Sequence, residues 1–169
     1  TAGRVCGPSG ACRGAGGFLP AKSGAVGFGD LAVAMAQDVR KLLREGNILA
    51  VKGLGGFLLA CDARNDASVR RLRERKRRSD KPFALMARDL NSVATFCHMH
   101  DQAHFALQSP RRPIVILQSR QGTSISPNVS PGNNTLGVML PYTPLHYLLF
   151  SDSPDQASEF PALVMTSGN

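Results

Sequence analysis

The chain has few cysteines and no long apolar stretch. Its four cysteines form no C-x-x-C pair, so no zinc site can be read from the sequence, and Cys61 and Cys97 are expected to be small buried hydrophobes. The cluster at residues 97–100 is more typical of a helix surface than of a metal site. No apolar run approaches the roughly 20 residues that a membrane helix requires, and the N-terminus lacks the apolar core of a signal peptide. We therefore expect a cytoplasmic protein that does not contact the membrane.

The sequence also lacks the usual patterns of nucleophilic or acid–base catalysis. No Ser-His-Asp or Cys-His arrangement stands out, and no pair of carboxylates has a spacing typical of acid–base chemistry. The formal net charge of +8 instead indicates an anionic partner, which could be a nucleotide, a nucleic acid or an acidic protein. Cations and glycine turns together favour the binding of phosphates, with electrostatic stabilisation as the catalytic contribution.

The length of 169 residues and the hydrophobic fraction of 43% fit one ordinary domain. Residues 1–29 are rich in Gly, Ser and Ala and predict a leader or linker, whereas 30–169 alternate between predicted helices and strands. Asp30 is a candidate N-cap for the first helix, and this alternation predicts an α/β or α+β fold with one central sheet. The predicted helices lie near 30–45, 66–76, 89–97, 101–108 and 144–150, and the predicted strands at 48–51, 83–86, 113–117, 136–140 and 163–165.

A glycine-rich segment follows the first predicted strand, which we expect to be buried. It reads Val51-Lys52-Gly53-Leu54-Gly55-Gly56-Phe57, and glycines let the backbone approach a ligand closely and turn its amides toward an anion. Lys52, at the end of the strand, could reach the same anion. The pattern is neither a P-loop nor a dinucleotide fingerprint. From these residues alone, a plain tight turn is an equally good interpretation.

A basic segment covers residues 70–78, where seven of nine residues are Lys or Arg, and Lys81 follows. Such a run is usually a solvated helix face. Here it passes from a helix into a loop that ends at Pro82, where several charged donors could converge on phosphates. Nucleic acid would use the same charge. Three interpretations therefore stay open, namely a solvated face, a nucleotide site and a nucleic-acid site.

Two further segments place polar groups in turns. Residues 165–169 carry Thr166, Ser167 and Asn169 after a predicted strand, and these side chains suit a phosphate or a ribose, although a plain turn is equally compatible. Thr143 is a predicted N-cap before Pro144. His146 is a candidate ligand contact, with a packed or surface histidine as the alternative.

In this order the segments resemble the YrdC-like nucleotide-binding domain of HypF carbamoyltransferases. Leu58, Arg77 and Ser79 stand where that pattern usually has His, Gly and Pro. The resemblance implies a twisted mixed sheet flanked by helices, with a basic concave surface. It rests on five ordered blocks, which are 48–63, the basic segment leading into Lys81-Pro82-Phe83-Ala84-Leu85-Met86, 109–115, 136–146 and 164–169.

The reaction implied by this resemblance joins a carbamate unit to AMP, using ATP with its Mg²⁺ and releasing pyrophosphate. In the wider family, a Lys-x-Arg pair and a Ser-x-Asn motif contact ATP, and they match residues 76–78 and 167–169. We therefore predict three catalytic residues, Lys52, Lys76 and Arg78. The predicted nucleotide contacts are Lys76, Arg78, Lys81, Thr166, Ser167 and Asn169, and the predicted substrate contacts are Gly55, Gly56 and His146.

For a whole HypF protein, the resemblance implies carbamoyl phosphate or carbamate as substrate, a HypE-type acceptor protein, zinc only in domains outside this chain, and a role in nickel–iron hydrogenase maturation. Residues 30–169 would be a YrdC-like domain shortened at its C-terminus, and 1–29 could retain part of the preceding zinc-finger region. One alternative is a threonylcarbamoyl-AMP synthase-like enzyme of tRNA modification. Another is a double-stranded-RNA-binding module without catalysis. The segment 52–57 favours HypF, because the sister enzymes usually carry a Pro-Thr-x-Thr-like stretch there.

Overall fold

The computed structural model describes residues 28–151 and 160–168, with side chains from residue 33 onward. Five α-helices and one 3₁₀ turn surround a six-stranded sheet in this part of the chain. In chain order the elements are α1 (Phe28–Arg44), β1 (Leu49–Lys52), β2 (Phe57–Asp62), α2 (Asp66–Arg75), β3 (Ala84–Ala87), α3 (Leu90–Phe96), α4 (Asp101–Gln108), β4 (Val115–Gln118), the 3₁₀ turn (Pro127–Val129), β5 (Thr135–Met139), α5 (Pro144–Phe150) and β6 (Ala162–Ser167).

The sheet is mixed, with the strand order β1-β2-β6-β3-β5-β4. Strands β3 and β5 run parallel, and every other neighbouring pair is antiparallel. Helices α2, α3 and α4 bury their apolar residues against one face, and α1 and α5 cover the other. This arrangement confirms the predicted mixed sheet flanked by helices. Within the described residues, no helix is long and apolar enough to cross a membrane.

The expectation of a buried strand at 48–51 is wrong. Strand β1 lies at the edge of the sheet, and of its residues only Val51 is buried. It pairs antiparallel with β2, a strand that the sequence pattern did not predict, and Lys52 faces Phe57 across the pair. The glycine-rich segment is therefore the turn of a β-hairpin.

Helix α1 begins at Phe28, so the predicted N-cap Asp30 lies inside the helix and that prediction is wrong. Among the side chains of α1 that the structure describes, Ala36 and Leu43 are buried, whereas Met35 is 60% exposed. A single stripe of the helix is covered because α1 packs mainly along α5. Only side chains on that stripe can be buried.

The predicted helices α2 and α5 are confirmed, and Thr143 is the N-cap of α5 as predicted. The side chain of Asn65 accepts a hydrogen bond from the Ser68 amide at 3.0 Å, which fixes the start of α2. Thr143 accepts from the amide of His146 at 3.2 Å, and α5 spans Pro144–Phe150 as expected. Both caps satisfy amides that the first helical turn leaves without an intrahelical partner.

Candidate functional site

The basic segment ends α2 in a tight left-handed turn. Lys76 is the C-cap residue, and Arg77 follows with a φ of 48°. The amide of Arg77 donates to the Glu74 carbonyl and that of Arg78 to the Arg73 carbonyl, each at 3.0 Å. This pair of bonds is a Schellman motif. It reverses the chain and brings the cations of residues 76–78 to the end of the sheet.

The end of β6 receives these cations. The Lys76 ammonium group donates to the Ser167 carbonyl at 2.5 Å, and one terminal nitrogen of Arg78 lies 3.4 Å from the Thr166 hydroxyl. The contact of Lys76 with Ser167 joins two residues that are 91 positions apart in the sequence. The structure thus brings together four of the predicted nucleotide contacts, Lys76, Arg78, Thr166 and Ser167. Asn169 lies outside the described residues.

Arg73 positions this turn, and sequence reasoning missed it. Its side chain is only 6% exposed and donates to the backbone carbonyls of Ser79 at 2.9 Å and Lys81 at 3.1 Å. The guanidinium also lies 5.0 Å from the ring centre of Phe83, and that of Arg78 lies 5.2 Å from the same ring. Burial, and then the charge of Arg78, lower the pKa of Arg73. The missed signal was helical spacing, because residue 73 shares the buried face of α2 with residues 69 and 72.

The glycine hairpin forms a second part of the site. The Gly53 amide donates to the Gly56 carbonyl at 2.8 Å, which closes the turn, and the Gly168 amide donates to the Phe57 carbonyl at 2.8 Å. A Cβ atom at Gly168 would lie 3.1 Å from that carbonyl oxygen, so glycine permits this close approach. A cleft of about 270 Å³ is lined by residues 53–58, Tyr142 and Ser167. The predicted substrate contacts Gly55 and Gly56 therefore share a cleft with Ser167.

The cations and the hairpin cleft lie on opposite faces of the same end of the sheet. Neighbouring residues of a strand point to opposite faces, so Thr166 faces the side of α2 and Ser167 faces the cleft. The register of β2 with β6 agrees, because Leu59 pairs with Thr166 and Leu58 with Ser167. The two parts meet at the terminal residues of β6.

Lys52 lies on the cationic face. It stands opposite Phe57, and its ammonium group lies 5.0 Å from the centre of that ring. Phe57 is 58% exposed, so this face presents an aromatic ring beside a lysine. Lys81 is exposed, with its carbonyl held by Arg73.

His146 lies beneath the cleft wall. Its side chain is fully buried and packs edge-on against the ring of Tyr142, with 4.5 Å between the ring centres. Among the described residues, neither ring nitrogen has a hydrogen-bond partner, and burial lowers the pKa of the imidazole. Its predicted role in substrate binding would therefore have to act through Tyr142, which lines the cleft.

Cys61, Cys97 and His100 lie outside the site and have structural roles. Cys61 and Cys97 are buried free thiols, as expected, and burial raises the pKa of each to about 12. His100 caps α4 by accepting from the Ala103 amide at 3.2 Å. The described residues contain no group of three His, Cys, Asp or Glu side chains that could hold a metal ion.

Comparison with protein families and known proteins agrees with this geometry. A model of the Sua5, YciO and YrdC proteins, described as telomere recombination, matches residues 41–169. The carbamoyltransferase HypF of Rhodobacter capsulatus is 51% identical over 127 residues, which cover 75% of this chain and 16% of that protein. The chain thus spans about a sixth of the length of this relative.

Solved structures give the same result. A crystal structure of full-length HypF, in a phosphate- and nucleotide-bound form, superposes with a TM-score of 0.72 and 44% identity, covering 79% of this chain and 17% of that one. Sua5 of P. abyssi in complex with L-threonine has a TM-score of 0.69 at 17% identity, covering 81% of this chain and 39% of that one. The second similarity shows the fold alone. Together with the sequence matches, the first shows that the chain resembles the YrdC-like domain of HypF.

Proposed function

Because this chain belongs to the Sua5–YciO–YrdC family, we propose that it binds ATP and forms a carbamoyl-adenylate as part of a HypF-type carbamoyltransferase. The observation that carries the proposal is the contact between the Lys76 ammonium group and the Ser167 carbonyl. It joins the cationic turn to the end of β6, beside the glycine hairpin. The related HypF structure with a bound nucleotide supports the same assignment.

The charges at this end of the sheet suit a triphosphate. Lys52, Lys76 and Arg78 are the proposed catalytic cations, and Arg78 makes no ion pair with another described residue. Hydrogen bonds between charged groups and phosphate are stronger than those between neutral groups. Lys81, Thr166, Ser167 and Asn169 complete the proposed nucleotide contacts. Mg²⁺ would arrive with ATP and be held mainly by phosphate oxygens and water.

The proposed step is an attack by a carbamate oxygen on the α-phosphorus of ATP. A bond forms between that oxygen and the α-phosphorus, the bond from the α-phosphorus to the bridging oxygen breaks, and pyrophosphate leaves with the electron pair. The carbamate is already anionic, so the step needs no general base. The chain's cations would hold the phosphates in line and neutralise the charge that develops on the leaving group.

Binding of ATP to the whole 169-residue chain tests the nucleotide site. Calorimetry should show that Lys76→Ala and Arg78→Ala each weaken ATP binding by about tenfold or more, since each removes a charged donor worth roughly 1.5–3 kcal/mol. Arg75→Ala is the matched control, because Arg75 is an exposed cation in the last turn of α2. Equal affinities in all four proteins would remove Lys76 and Arg78 from the site.

The substrate is tested by ATP–pyrophosphate exchange. We expect exchange to depend on carbamoyl phosphate or carbamate. The proposed substrate contacts are Gly55 and Gly56, with Tyr142 and His146 behind them. Dependence on threonine alone would favour the threonylcarbamoyl-AMP alternative instead. The HypF assignment rests on 51% identity to a HypF protein, against 17% to the Sua5 structure.

Nucleic-acid binding is the second candidate, because a cleft of about 450 Å³ is lined largely by arginines. Its lining includes Arg70, Arg73, Arg77, Arg78 and Asn128. Phosphate-backbone contacts make affinity fall steeply with salt. Filter binding of double-stranded RNA across a salt series would show this slope if the module binds RNA, and a flat response would exclude backbone contacts.

The remaining assignments concern a longer protein. We propose residues 30–169 as the YrdC-like unit and 1–29 as a leader or linker before it. Transfer of the carbamoyl group to a HypE-type acceptor, in the cytoplasm and toward nickel–iron hydrogenase, would require the parts of a HypF protein that lie beyond this chain. Co-purification of a HypE protein with the full reading frame would test that role.

A further inference from the structure

Another cavity lies at the end of the sheet opposite the candidate site. Its volume is about 680 Å³, and it adjoins the carboxyl ends of the two parallel strands. Arg88 follows β3 directly, and Leu140 follows β5. Because Met165, near the end of β6, pairs with Ala84 at the start of β3, the cations around Ser167 lie at the other end of these strands.

Arg112 lies in the wall of this cavity, where two hydrogen bonds hold its side chain. Its φ is 45°, although it is not glycine, and such backbone strain is concentrated at functional sites. One terminal nitrogen donates to the Leu107 carbonyl at 3.4 Å and the other to the Tyr147 hydroxyl at 3.2 Å. These contacts leave further N–H groups on the guanidinium, and Tyr147 keeps its own proton to donate.

Arg88 supplies a second cation. Within the described residues its side chain donates through Nε to Asp89 at 2.8 Å, so its two terminal nitrogens keep their protons for another acceptor. Asp89 is the carboxylate in this wall, and it already accepts from the Ser92 amide at 2.7 Å as the N-cap of α3. The cavity wall therefore carries two guanidinium groups and one carboxylate, which pairs with Arg88 through one oxygen and caps α3 through the other.

We propose that this cavity binds a small organic oxyanion, a carboxylate or a phosphate monoester with a short apolar body. Arg88 and Arg112 would bind the charged group, and the amides of Asn91 and Gln108 offer further donors. Leu140 provides an apolar wall for the rest of the ligand. The volume lies within the range of small-molecule sites, and crevices at the carboxyl ends of parallel strands are frequent ligand sites.

Residue-resolved NMR titration of the whole chain tests the proposal with three probes, inorganic phosphate, phenyl phosphate and benzoate. We expect saturable shifts at the amides of residues 88, 91, 112 and 147. Phenyl phosphate should bind more tightly than inorganic phosphate, because its ring covers the apolar wall. The relative affinities of phenyl phosphate and benzoate then distinguish a phosphate ligand from a carboxylate ligand.

Two substitutions at one position give the decisive comparison. Arg112→Gln should weaken binding of the tightest probe about tenfold, since it removes one charged donor. Arg112→Gly should weaken it equally while relieving the strained φ, so a folding defect cannot explain the loss. Arg111→Gln is the control, because Arg111 is an exposed neighbour outside the cavity, and its binding should match that of the unaltered chain.

Three results would overturn the proposal. The first is the absence of saturable shifts around the cavity at millimolar probe concentrations. The second is unchanged affinity in both Arg112 variants. The third is a set of shifts confined to residues 76, 78 and 167, which would assign the anion to the candidate nucleotide site. The first two results leave ATP binding by Lys76 and Arg78 untouched, and the third would support it, so the two proposals fail separately.

Discussion

Helices α1 and α2 end with the same hydrogen bonds but with different residues at the left-handed position. In α1, the Gly46 amide donates to Leu43 and the Asn47 amide to Leu42, and Gly46 has a φ of 82°. In α2 the equivalent bonds run from Arg77 and Arg78, and the left-handed residue is Arg77. The same Schellman geometry is thus built once with glycine and once with arginine.

The difference shows that a left-handed turn can be stabilised either by a glycine at the left-handed position or by contacts from neighbouring side chains. Glycine adopts a positive φ without steric cost, whereas another residue pays roughly 1–2 kcal/mol. The turn of α2 is braced by Arg73, whose side chain holds the carbonyls of Ser79 and Lys81. The chain therefore retains the turn geometry at a position where the resembling domains usually have glycine. Lys76 and Arg78 remain on the same end of the sheet.

Removing the Arg73 side chain should have the largest effect on stability. Arg73→Ala leaves two carbonyls without their charged donor and uncovers Phe83, so we expect a loss of about 3 kcal/mol in the free energy of unfolding. Urea denaturation measures this loss. Because the loop 79–81 also positions the turn, ATP affinity should fall in the fraction that stays folded.

Arg75→Ala is the control for this prediction, since Arg75 is an exposed cation two residues further along the same helix. If Arg73→Ala changed stability no more than this control, Arg73 would not brace the turn. The contrast between the two helix ends would then need another cause.

The glycine turn should be less tolerant of a side chain than the arginine turn. Gly46→Ala puts a residue with a Cβ atom into a left-handed conformation, and that Cβ would lie 3.0 Å from the side-chain Nδ2 of Asn65. We expect a loss of about 1–2 kcal/mol. The Gly46 carbonyl also accepts from the Ser68 hydroxyl at 2.7 Å, so a shift of this turn would disturb the start of α2.

Gly122→Ala is a suitable comparison, because Gly122 also has a positive φ of 69° but open space around its Cβ position. It isolates the backbone cost from the contact with Asn65. An equal loss in both variants, measured by urea denaturation, would show that crowding at Gly46 contributes nothing.

The sequence predicted those parts of the fold that depend on neighbouring residues. Thr143 before Pro144 is a local capping signal, and α5 begins where it predicts. The helix expected from residue 66 also begins there. Strand β2 was missed because periodicity cannot distinguish its short apolar run from a buried helical segment. Its pairing with β1 and β6 identifies it as a strand. Strand order depends on such distant pairings and could not be derived.

The candidate site, too, could be predicted from the sequence only in part. Lys76, Arg78 and Ser167 were selected through their resemblance to family motifs, because no spacing rule connects residues 91 positions apart. Arg73 was overlooked, since a run of seven cations conceals which one points inward. Its helical spacing from Val69 and Leu72, which share the buried face of α2, is the signal that identifies it. The burial of His146 likewise depends on packing that the Thr143–Pro144 signal does not reveal.

The smallest expected effect is a gain in stability at the arginine turn. Arg77→Gly removes the steric cost of the positive φ, roughly 1–2 kcal/mol, but adds freedom to the unfolded chain worth about 0.5–1 kcal/mol. We therefore expect a net gain of about 0.5 kcal/mol, seen as a higher urea midpoint, with ATP affinity little changed. Arg75→Gly should instead lose about 1 kcal/mol, because its backbone is helical. Similar losses in both variants would mean that the Arg77 side chain, and not the conformation of its backbone, stabilises the turn.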